Sequence, residues 1–442
     1  MTFLKKQTVI IVTLFMALWV TKAFSEMDWI SKQLVEQKFV PSDLLKGEMF
    51  GSSVAISDKY AVIGAKNDDD KAGSIYIFEK VGTKWEMIQK FTNDSPTQNA
   101  YMGLSVATTG NFIFAGESCF DLDEEHKDLG AVHVYYRQSS GEWTKIQRVL
   151  PNPVENTHRF GTSMSVLDDT LIIGAYGETD ESGKAFIFQQ DGNQWRQVQC
   201  LEPEEPIIKG RFGNAVNISS DFVIVGAYLE RDYLGGAYIF QKIDGSWQQT
   251  TKLLPPEEQK YSYFGYSVDI NDTYAIVGAY GCKTSDDITN AGAVYIFKRG
   301  ENAWEFLLKL TENDLGKSDK FGTSLDLENN VLMVGATKMD SSVVDSGAVF
   351  FYRLENDTCI KLNKIFASDA TTDALFGQSF ALQNNYFVVG ANLTNDQNVR
   401  TGGVYVYEPF SYQTHPLGPD GVVSLDDIIH WLKNLSSPDV DN

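Results

Sequence analysis

The stretch Phe264-Gly265-Tyr-Ser-Val-Asp-Ile-Asn-Asp-Thr-Tyr-Ala-Ile-Val-Gly278-Ala279 is one copy of a repeat that runs through most of the chain. A Phe-Gly pair opens six copies and a Met-Gly pair opens a seventh, and a glycine stands fourteen residues after every start. The starts are Phe50, Met102, Phe160, Phe212, Phe264, Phe321 and Phe376, and the later glycines are Gly64, Gly116, Gly174, Gly226, Gly278, Gly335 and Gly390. A period of 52 to 58 residues predicts an array of similar structural units.

Each copy divides into four short segments with the composition of β-strands. The first begins at Gly265 and is followed by an expected two-residue turn, Asn271-Asp272. The second, from Tyr274, is apolar and β-branched, the third begins at Gly292, and the fourth begins at Trp304. Equivalent two-residue turns are expected at Asp168-Asp169 and Asn384-Asn385. Four strands per unit and seven units predict an all-β fold, a seven-bladed β-propeller.

The tryptophans predict how the ring closes. Each stands 17 residues before the next repeat start, and Cys359 takes this place before Phe376. They are Trp85, Trp143, Trp195, Trp247 and Trp304. The last copy has no fourth segment after Tyr407, but Trp29-Ile-Ser-Lys-Gln-Leu34, before the first copy, has the same character. We therefore expect an N-terminal strand to complete the seventh blade, which removes an exposed sheet edge.

The Phe-Gly start and the Gly-Ala after the second strand resemble the FG-GAP repeat of integrin alpha-subunit propellers and of many secreted bacterial and protist proteins. The resemblance covers residues 26–409 and implies the propeller fold together with a role in binding or adhesion. Members of this family often carry a calcium loop between the first two strands. The two-residue turns of this chain are too short to wrap a calcium ion, so the family's calcium sites are not carried over.

The two ends of the chain lie outside the repeat. Residues 1–25 have Lys5 and Lys6, then an apolar run and small residues near Ser25, which predicts a secretory signal peptide, with a signal anchor as the alternative. No other stretch has transmembrane length, so we expect a secreted or cell-surface protein without a membrane span in the mature chain. Residues 410–442 form a linker and then a stretch with the apolar spacing of one short amphipathic helix.

Composition narrows the classes of partner. The net charge of −22 argues against nucleic acid, because phosphate binding needs a basic surface. An even cysteine count in an exported protein permits two disulfides, in three connectivities that the sequence leaves open. The cysteines are Cys119, Cys200, Cys282 and Cys359. Asn-x-Ser/Thr sequences would make the protein a glycoprotein in a eukaryotic source.

Acidic segments are the candidates for calcium. Asp121, Asp123 and Glu125 lie in a loop between second and third strands, although solvated loop charge is the alternative. The tail resembles the second half of an EF-hand or dockerin loop, with Asp420, Ser424 and Asp427 as ligands, but its first half lacks oxygen donors. There, the alternative is a turn with Ser424 as the N-cap of the helix.

Three tyrosines directly follow Gly-Ala in consecutive blades: Tyr176, Tyr228 and Tyr280. The loops between second and third strands vary in length and share a face with the segments that lead into each Phe-Gly; we call this the variable face. Tyrosines are common recognition anchors, so the three predict a ligand site there, with Lys66 and Asn392 at equivalent positions in other blades. Packing between blades is the alternative role.

Two functional hypotheses follow. The first is a non-catalytic binding or adhesion module for an extracellular protein or glycan, as the resemblance implies. The second is a carbohydrate-active enzyme, a polysaccharide lyase or glycosidase, with His158, Arg159 and Tyr176 in the central funnel. A weaker third is a structural surface protein whose C-terminal helix docks a partner. Histidine is scarce, and no nucleophile elbow, zinc motif or phosphate loop is present.

Overall fold

The computed structural model describes residues 34–409, except 58, 94–98, 155–157, 178–181, 206–207, 302, 384–385 and 397–398. Contacts group residues 36–407 into one compact unit, and the two chain ends are grouped separately. The expected signal peptide (1–25), Trp29, and the tail with Asp420, Ser424 and Asp427 lie outside the described residues.

Seven four-stranded antiparallel sheets build the unit, which confirms the propeller. Blades 1 to 3 contain β2 (Phe50–Ser57), β3 (Tyr60–Ala65), β4 (Ser74–Val81), β5 (Lys84–Thr92); β6 (Met102–Thr108), β7 (Phe112–Glu117), β8 (Ala131–Arg137), β9 (Trp143–Val149); and β10 (Phe160–Leu167), β11 (Thr170–Ala175), β12 (Lys184–Asp191), β13 (Gln194–Leu201). Blades 4 to 6 contain β14 (Val216–Ile218), β15 (Phe222–Ala227), β16 (Gly236–Ile243), β17 (Ser246–Leu253); β18 (Ser267–Ile270), β19 (Tyr274–Ala279), β20 (Ala293–Arg299), β21 (Trp304–Leu310); and β22 (Phe321–Glu328), β23 (Val331–Ala336), β24 (Ala348–Glu355), β25 (Thr358–Ile365).

Blade 7 takes strands from both ends of the unit. It contains β26 (Ser379–Gln383), β27 (Tyr386–Ala391), β30 (Gly403–Pro409) and, as its outer strand, β1 (Leu34–Phe39). Two short helical turns, α1 (Asp68–Lys71) and α2 (Glu230–Tyr233), and a small hairpin of β28 (Asn395–Asp396) and β29 (Val399–Arg400) lie in loops between second and third strands. The expected closure by an N-terminal strand is confirmed, in the residues that follow Trp29.

The second strand of each blade is the most deeply buried element. Every residue of β3, β7, β11, β15, β19 and β23 is buried, because each strand lies inside its own sheet and between two neighbouring blades. A strand covered on both faces needs a continuous apolar run rather than alternation. This is why the second segment of each repeat is the most apolar.

The turns between first and second strands agree with expectation in one of the two described examples. Leu167 pairs with Thr170 across Asp168-Asp169, and Asp168 has φ 51°. At Asn271 the expected turn is displaced by one residue, because the Asn271 backbone N–H donates to the Tyr274 oxygen at 2.9 Å and Asp272-Thr273 form the two-residue turn. The Asn271 side chain accepts hydrogen bonds from the backbone N–H groups of Thr273 (2.9 Å) and Tyr274 (2.7 Å), which stabilises this turn.

Glycine pairs allow the blades to approach one another. A Cβ at Gly64 would lie 2.0 Å from the carbonyl oxygen of Gly103, in the Met-Gly pair of the next blade. The same contact closes the ring, where a Cβ at Gly390 would lie 2.3 Å from the Gly51 oxygen. Both repeated glycines are therefore required because two backbones meet there.

A serine in the first strand bonds to the same carbonyl group. Ser53 donates to the Gly103 oxygen at 2.9 Å, and Ser379 donates to the Gly51 oxygen at 2.9 Å across the closure. Six blades have this hydrogen bond, with donors Ser53, Ser105, Ser163, Ser267, Ser324 and Ser379. Blade 4 has Ala215 at the equivalent position and lacks it.

The outer strands are connected by tryptophan and glutamine. Four of the five repeated tryptophans are buried: Trp143, for example, is 1% exposed and packs edge-on against Tyr60 of the preceding blade, with ring centroids 5.4 Å apart. Gln147 then exchanges two hydrogen bonds of 2.9 Å with the backbone of Trp195 in the next blade. These bonds satisfy backbone groups at a sheet edge.

The buried carboxylate of Asp269 and the half-buried carboxylate of Asp326 connect blades 5, 6 and 7. Asp269 accepts the Leu327 backbone N–H at 2.8 Å, and Asp326 accepts the Leu382 N–H at 2.6 Å. Desolvation raises the pKa of Asp326 to about 7 and that of Asp269 well above its usual value.

All four cysteines are free thiols in this structure, so none of the three open disulfide connectivities is formed.

Candidate ligand-binding face

The variable face surrounds one mouth of the central channel. The loops between second and third strands meet the segments that lead into the next Phe-Gly: Tyr263 donates its backbone N–H to the Tyr233 oxygen at 3.2 Å, and Gly235 bridges to Phe264. The first strands line a channel cavity of about 260 Å³. Thr162, Asn214 and Tyr266 are among its lining residues.

The residue before every repeat start has a left-handed backbone. These residues are Met49, Tyr101, Arg159, Arg211, Tyr263, Lys320 and Leu375, and their φ angles lie between 55° and 63°. Non-glycine residues seldom adopt this conformation, and each instance costs about 1–3 kcal/mol. The strain recurs in all seven blades, at the position that leads from the variable face into the inner strand.

Arg211 connects two of the predicted tyrosines. Its guanidinium carbon lies 4.9 Å from the centroid of the Tyr176 ring and 5.8 Å from that of Tyr228. Its Nη1 also donates a hydrogen bond of 2.7 Å to the Tyr228 hydroxyl. Tyr176 and Tyr228, from neighbouring blades, are therefore held together by one cation.

Tyr228 and Tyr280 are connected through two further tyrosines. The Tyr228 and Tyr266 ring centroids are 5.2 Å apart, and those of Tyr266 and Tyr280 are 4.6 Å apart, both edge-on. Tyr263 stacks on Tyr280 with centroids 4.8 Å apart. A Cβ at Gly281 would lie 2.0 Å from the Tyr261 carbonyl oxygen, so this glycine allows the loop to approach.

Two exposed tyrosines complete the group. Tyr233 and Tyr261 stack with centroids 5.4 Å apart and are 43% and 55% exposed. We call the set of six rings the tyrosine cluster. Its members are Tyr228, Tyr233, Tyr261, Tyr263, Tyr266 and Tyr280.

Burial within the cluster affects ionisation. Desolvation, followed by the neighbouring phenols, raises the pKa of Tyr280 and of Tyr263, and desolvation and Tyr228 raise that of Tyr266. The phenols therefore stay neutral at physiological pH. The exposed rings offer apolar surface and hydroxyl groups to a ligand.

The other predicted binding residues lie at equivalent positions on the opposite side of the ring. Lys66 is half-buried, and its desolvation lowers its pKa. Asn392 is 6% exposed, and its side-chain oxygen has no hydrogen-bond partner in the structure. Ser118 and Thr337, in the remaining blades, are buried. The cluster is confined to blades 4 and 5 and reaches Tyr176 in blade 3.

The acidic candidates for a metal bond within their own loop. Asp123 accepts hydrogen bonds from the backbone N–H groups of Glu125 and His126 and lies 2.8 Å from the His126 ring, and this ring lowers the pKa of Asp123. Asp121 accepts the Asp128 backbone N–H at 2.8 Å. No cluster of three or more potential His, Cys, Asp or Glu ligands occurs in the described part of the chain.

The residues named for the enzyme alternative make contacts within the loops of blades 2 and 3. Arg159 lies 3.3 Å from an Asp128 carboxylate oxygen and donates to the Cys119 sulfur. His158 uses its backbone oxygen to accept the Gly177 N–H at 3.3 Å. These contacts stabilise the loop between blades 2 and 3.

A model of the FG-GAP repeat matches more than half of the chain, at residues 34–78, 143–188, 195–240, 247–297, 304–352 and 361–407. The chain belongs to the FG-GAP repeat family. Human integrin alpha-11 is 23% identical to this FG-GAP chain over 267 residues. That match covers 52% of the chain and 22% of integrin alpha-11, so the chain spans about a fifth of that relative.

Among solved structures, the crystal structure of a Lactobacillus plantarum protein is similar to this FG-GAP propeller. It has 13% sequence identity and a TM-score of 0.47, over 73% of this chain and 85% of that one. In the part of the chain that the structure describes, no helix has the length and apolar character needed to cross a bilayer.

Sequence reasoning missed Arg211, Tyr233, Tyr261, Tyr263 and Tyr266. Tyr263 and Arg211 each precede a Phe-Gly, and Tyr266 is the first residue after one. The signal that could have found them is the repeat register itself, applied to positions on either side of Phe-Gly as well as after Gly-Ala. Tyr233 is equivalent to Lys71 of blade 1, and Tyr261 is equivalent to Lys209 and Ser318 of other blades, all with a left-handed backbone. The register therefore extends to these two positions, although no tyrosine recurs at them.

Proposed function

We propose that this FG-GAP propeller is an extracellular binding or adhesion module that takes a protein or glycan on its variable face. The ligand contacts Tyr176, Tyr228 and Tyr280 and the rings that pack between them, with Lys66 and Asn392 across the mouth of the channel. Secretion after removal of residues 1–25 belongs to the same proposal.

The observation that carries this proposal is the tyrosine cluster with Arg211 on the variable face. Tyrosine and arginine are enriched among the residues that dominate binding energy. The cluster combines rigid, packed rings with two exposed ones, so little side-chain entropy is lost when a ligand covers it. Loops on one face of a repeat scaffold are also the usual place for binding residues.

Similarity to human integrin alpha-11 supports an extracellular binding role, although this chain spans only a small part of that protein. The comparisons lend no support to the lyase or glycosidase alternative.

The test is an array of extracellular proteins and glycans probed with the mature protein. We expect binding that is lost when Tyr176→Ala and Tyr280→Ala are combined with Tyr228→Phe, which keeps the buried ring and removes the hydroxyl that accepts from Arg211. Phe306→Ala is the matched control, because Phe306 is 44% exposed on the outer strand β21. Unchanged binding by the triple variant would refute the site.

A second arm of the array adds a calcium chelator. Loss of binding on chelation would support a metal-bridged site and direct attention to Asp121, Asp123 and Glu125 or to Asp420, Ser424 and Asp427. Binding that survives chelation is the result we expect if the tyrosines are the contact surface.

A further inference from the structure

Two cations that border the tyrosine cluster have no direct acidic partner among the described residues. Arg211 makes one side-chain hydrogen bond, to the Tyr228 hydroxyl, although a guanidinium has five N–H donors. Lys320 lies 5.4 Å from the centroid of the Tyr280 ring. Neither side chain makes an ion pair with any residue that the structure describes. The cluster therefore has a cation at each end, and both retain donors for a ligand.

Other lysines near the same face form ion pairs: Lys338 lies 3.0 Å from Asp345, and Lys252 lies 3.1 Å from Glu230. Lys320 is desolvated, and this lowers its pKa, as does Lys338, whereas Asp345 raises it. A partly buried ammonium group that makes no direct ion pair is destabilising, and a ligand anion would relieve that cost.

The loops around the cluster also expose apolar side chains. Ile208 is 66% exposed and Leu254 is 38% exposed, in the segments that lead into Phe212 and Phe264. The carboxylates of Asp232 and Glu258 in the same loops form ion pairs with Lys260 and Arg231. Tyr233 and Tyr261 are more exposed than the rest of the cluster. Aliphatic side chains add little to the binding of a hydroxyl-rich sugar, whereas an apolar centre with aromatic and arginine residues is typical of protein interfaces.

We propose that the partner of this face is a protein surface that places an apolar side chain on the tyrosine cluster and carboxylates against Arg211 and Lys320. This inference rests on the proposed binding function and adds the chemistry of the partner. Arg211 is suited to a carboxylate, since its planar donors match the two oxygens, and Lys320 supplies a second point charge. Both are held by ring contacts before the ligand arrives.

The experiment measures calorimetric binding of synthetic peptides to the full-length chain. Each peptide carries leucine or tyrosine flanked by glutamates, and its counterpart has glutamines instead. We expect the glutamate peptides to bind about tenfold or more tightly than the glutamine peptides, and Arg211→Gln and Lys320→Gln each to abolish this difference. The matched control is Arg299→Gln: Arg299 lies 4.6 Å from the Phe222 ring centroid on the opposite face, and its variant should bind as the wild type does.

A second readout follows Lys320 directly. Labelling with an amine-reactive reagent, located by mass spectrometry, should fall at Lys320 when a glutamate peptide is added and should be unchanged by the glutamine peptide. This readout does not depend on the stability of a variant.

Three results would overturn the inference. Equal binding of both peptide types would show that the cations take no part. Binding of oligogalacturonate with no binding of the glutamate peptides would assign an acidic glycan to the face, and the proposed binding function would survive. Binding of protein ligands on the array that is unaffected by Arg211→Gln and Lys320→Gln would remove the acidic partner and again leave the binding function intact.

Discussion

Ala215→Ser should stabilise the propeller, because it supplies an inter-blade hydrogen bond that blade 4 lacks. In the other six blades the equivalent serine lies 2.5 to 2.9 Å from a glycine carbonyl oxygen of the next blade. The acceptor in blade 5 would be Gly265, whose oxygen lies 2.1 Å from a Cβ built on Gly226. The corresponding distance between Gly64 and Gly103 is 2.0 Å, so the two backbones approach equally closely.

The magnitude follows from the kind of bond that is added. One neutral hydrogen bond contributes about 1 kcal/mol net, and the new hydroxyl needs no further partner. Ser105→Ala is the reverse change: it removes a bond of 2.6 Å to the Gly161 oxygen and should lower the free energy of unfolding by about 1–3 kcal/mol, because the carbonyl group is left without that donor.

The assay is equilibrium unfolding in urea. Ala215→Ser should raise the midpoint and Ser105→Ala should lower it, both with an unchanged dependence on denaturant concentration. An Ala215→Ser midpoint at or below that of the wild type, with Ser105→Ala destabilised, would mean that blade 4 is held to blade 5 differently from the other pairs. No change in either variant would mean that the serine ring does not stabilise the fold.

Three further perturbations test other links between blades. The raised pKa values of Asp269 and Asp326 mean that the folded chain keeps protons that the unfolded chain loses near pH 4. Their contribution to stability is therefore full below pH 4 and falls as the pH rises to about 7. Urea unfolding at a series of pH values should show a decline of up to about 1.4 kcal/mol per pH unit for each of the two carboxyl groups, and Asp326→Asn should reduce it; an unchanged slope would contradict this. Gly390→Ala should lower the free energy of unfolding by about 3 kcal/mol or more, because the new Cβ meets the Gly51 backbone. Its control is Gly82→Ala, which has nothing within 4 Å of the new Cβ and should cost only about 1 kcal/mol. Equal shifts of the melting temperature in the two variants would refute the steric argument. In the same urea assay, Gln147→Ala should lower the free energy of unfolding by about 1–2 kcal/mol, because it removes both hydrogen bonds to Trp195. Gln147→Glu should have an intermediate effect, since it keeps the acceptor. An unchanged free energy of unfolding in Gln147→Ala would exclude a role for this side chain in holding the blades together.

Most of the fold could be predicted because the repeat encodes contacts that recur in every blade. Gly64 and its equivalents meet the next blade's backbone in all seven blades, and the tryptophan equivalent to Trp143 recurs in five of them. Ring closure was predictable for the same reason, since the last copy lacked one strand. The expected turn at Asn271-Asp272 was displaced by one residue, because Asn271 is itself a residue typical of turns.

The candidate site could be predicted only in part. Tyr176, Tyr228 and Tyr280 have equivalent positions in the repeat. In the structure they are connected through other aromatic rings and a cation, from residues that are not adjacent to them in sequence. Arg211 adopts a left-handed backbone that the sequence does not signal, because the residue is not glycine. Side-chain contacts between loops of different blades depend on loop lengths and paths, which have no period.

The left-handed residue before each repeat start is a position where the surface offered to a partner can change without a change in the fold. Five kinds of side chain occur at these seven positions, from Met49 to Leu375, and all stand on one backbone geometry. A change at such a position alters what the mouth of the channel presents to a partner, while the blade keeps its register. The propeller is therefore a scaffold on which new specificity can be acquired one residue at a time, by evolution or by library selection at these seven positions.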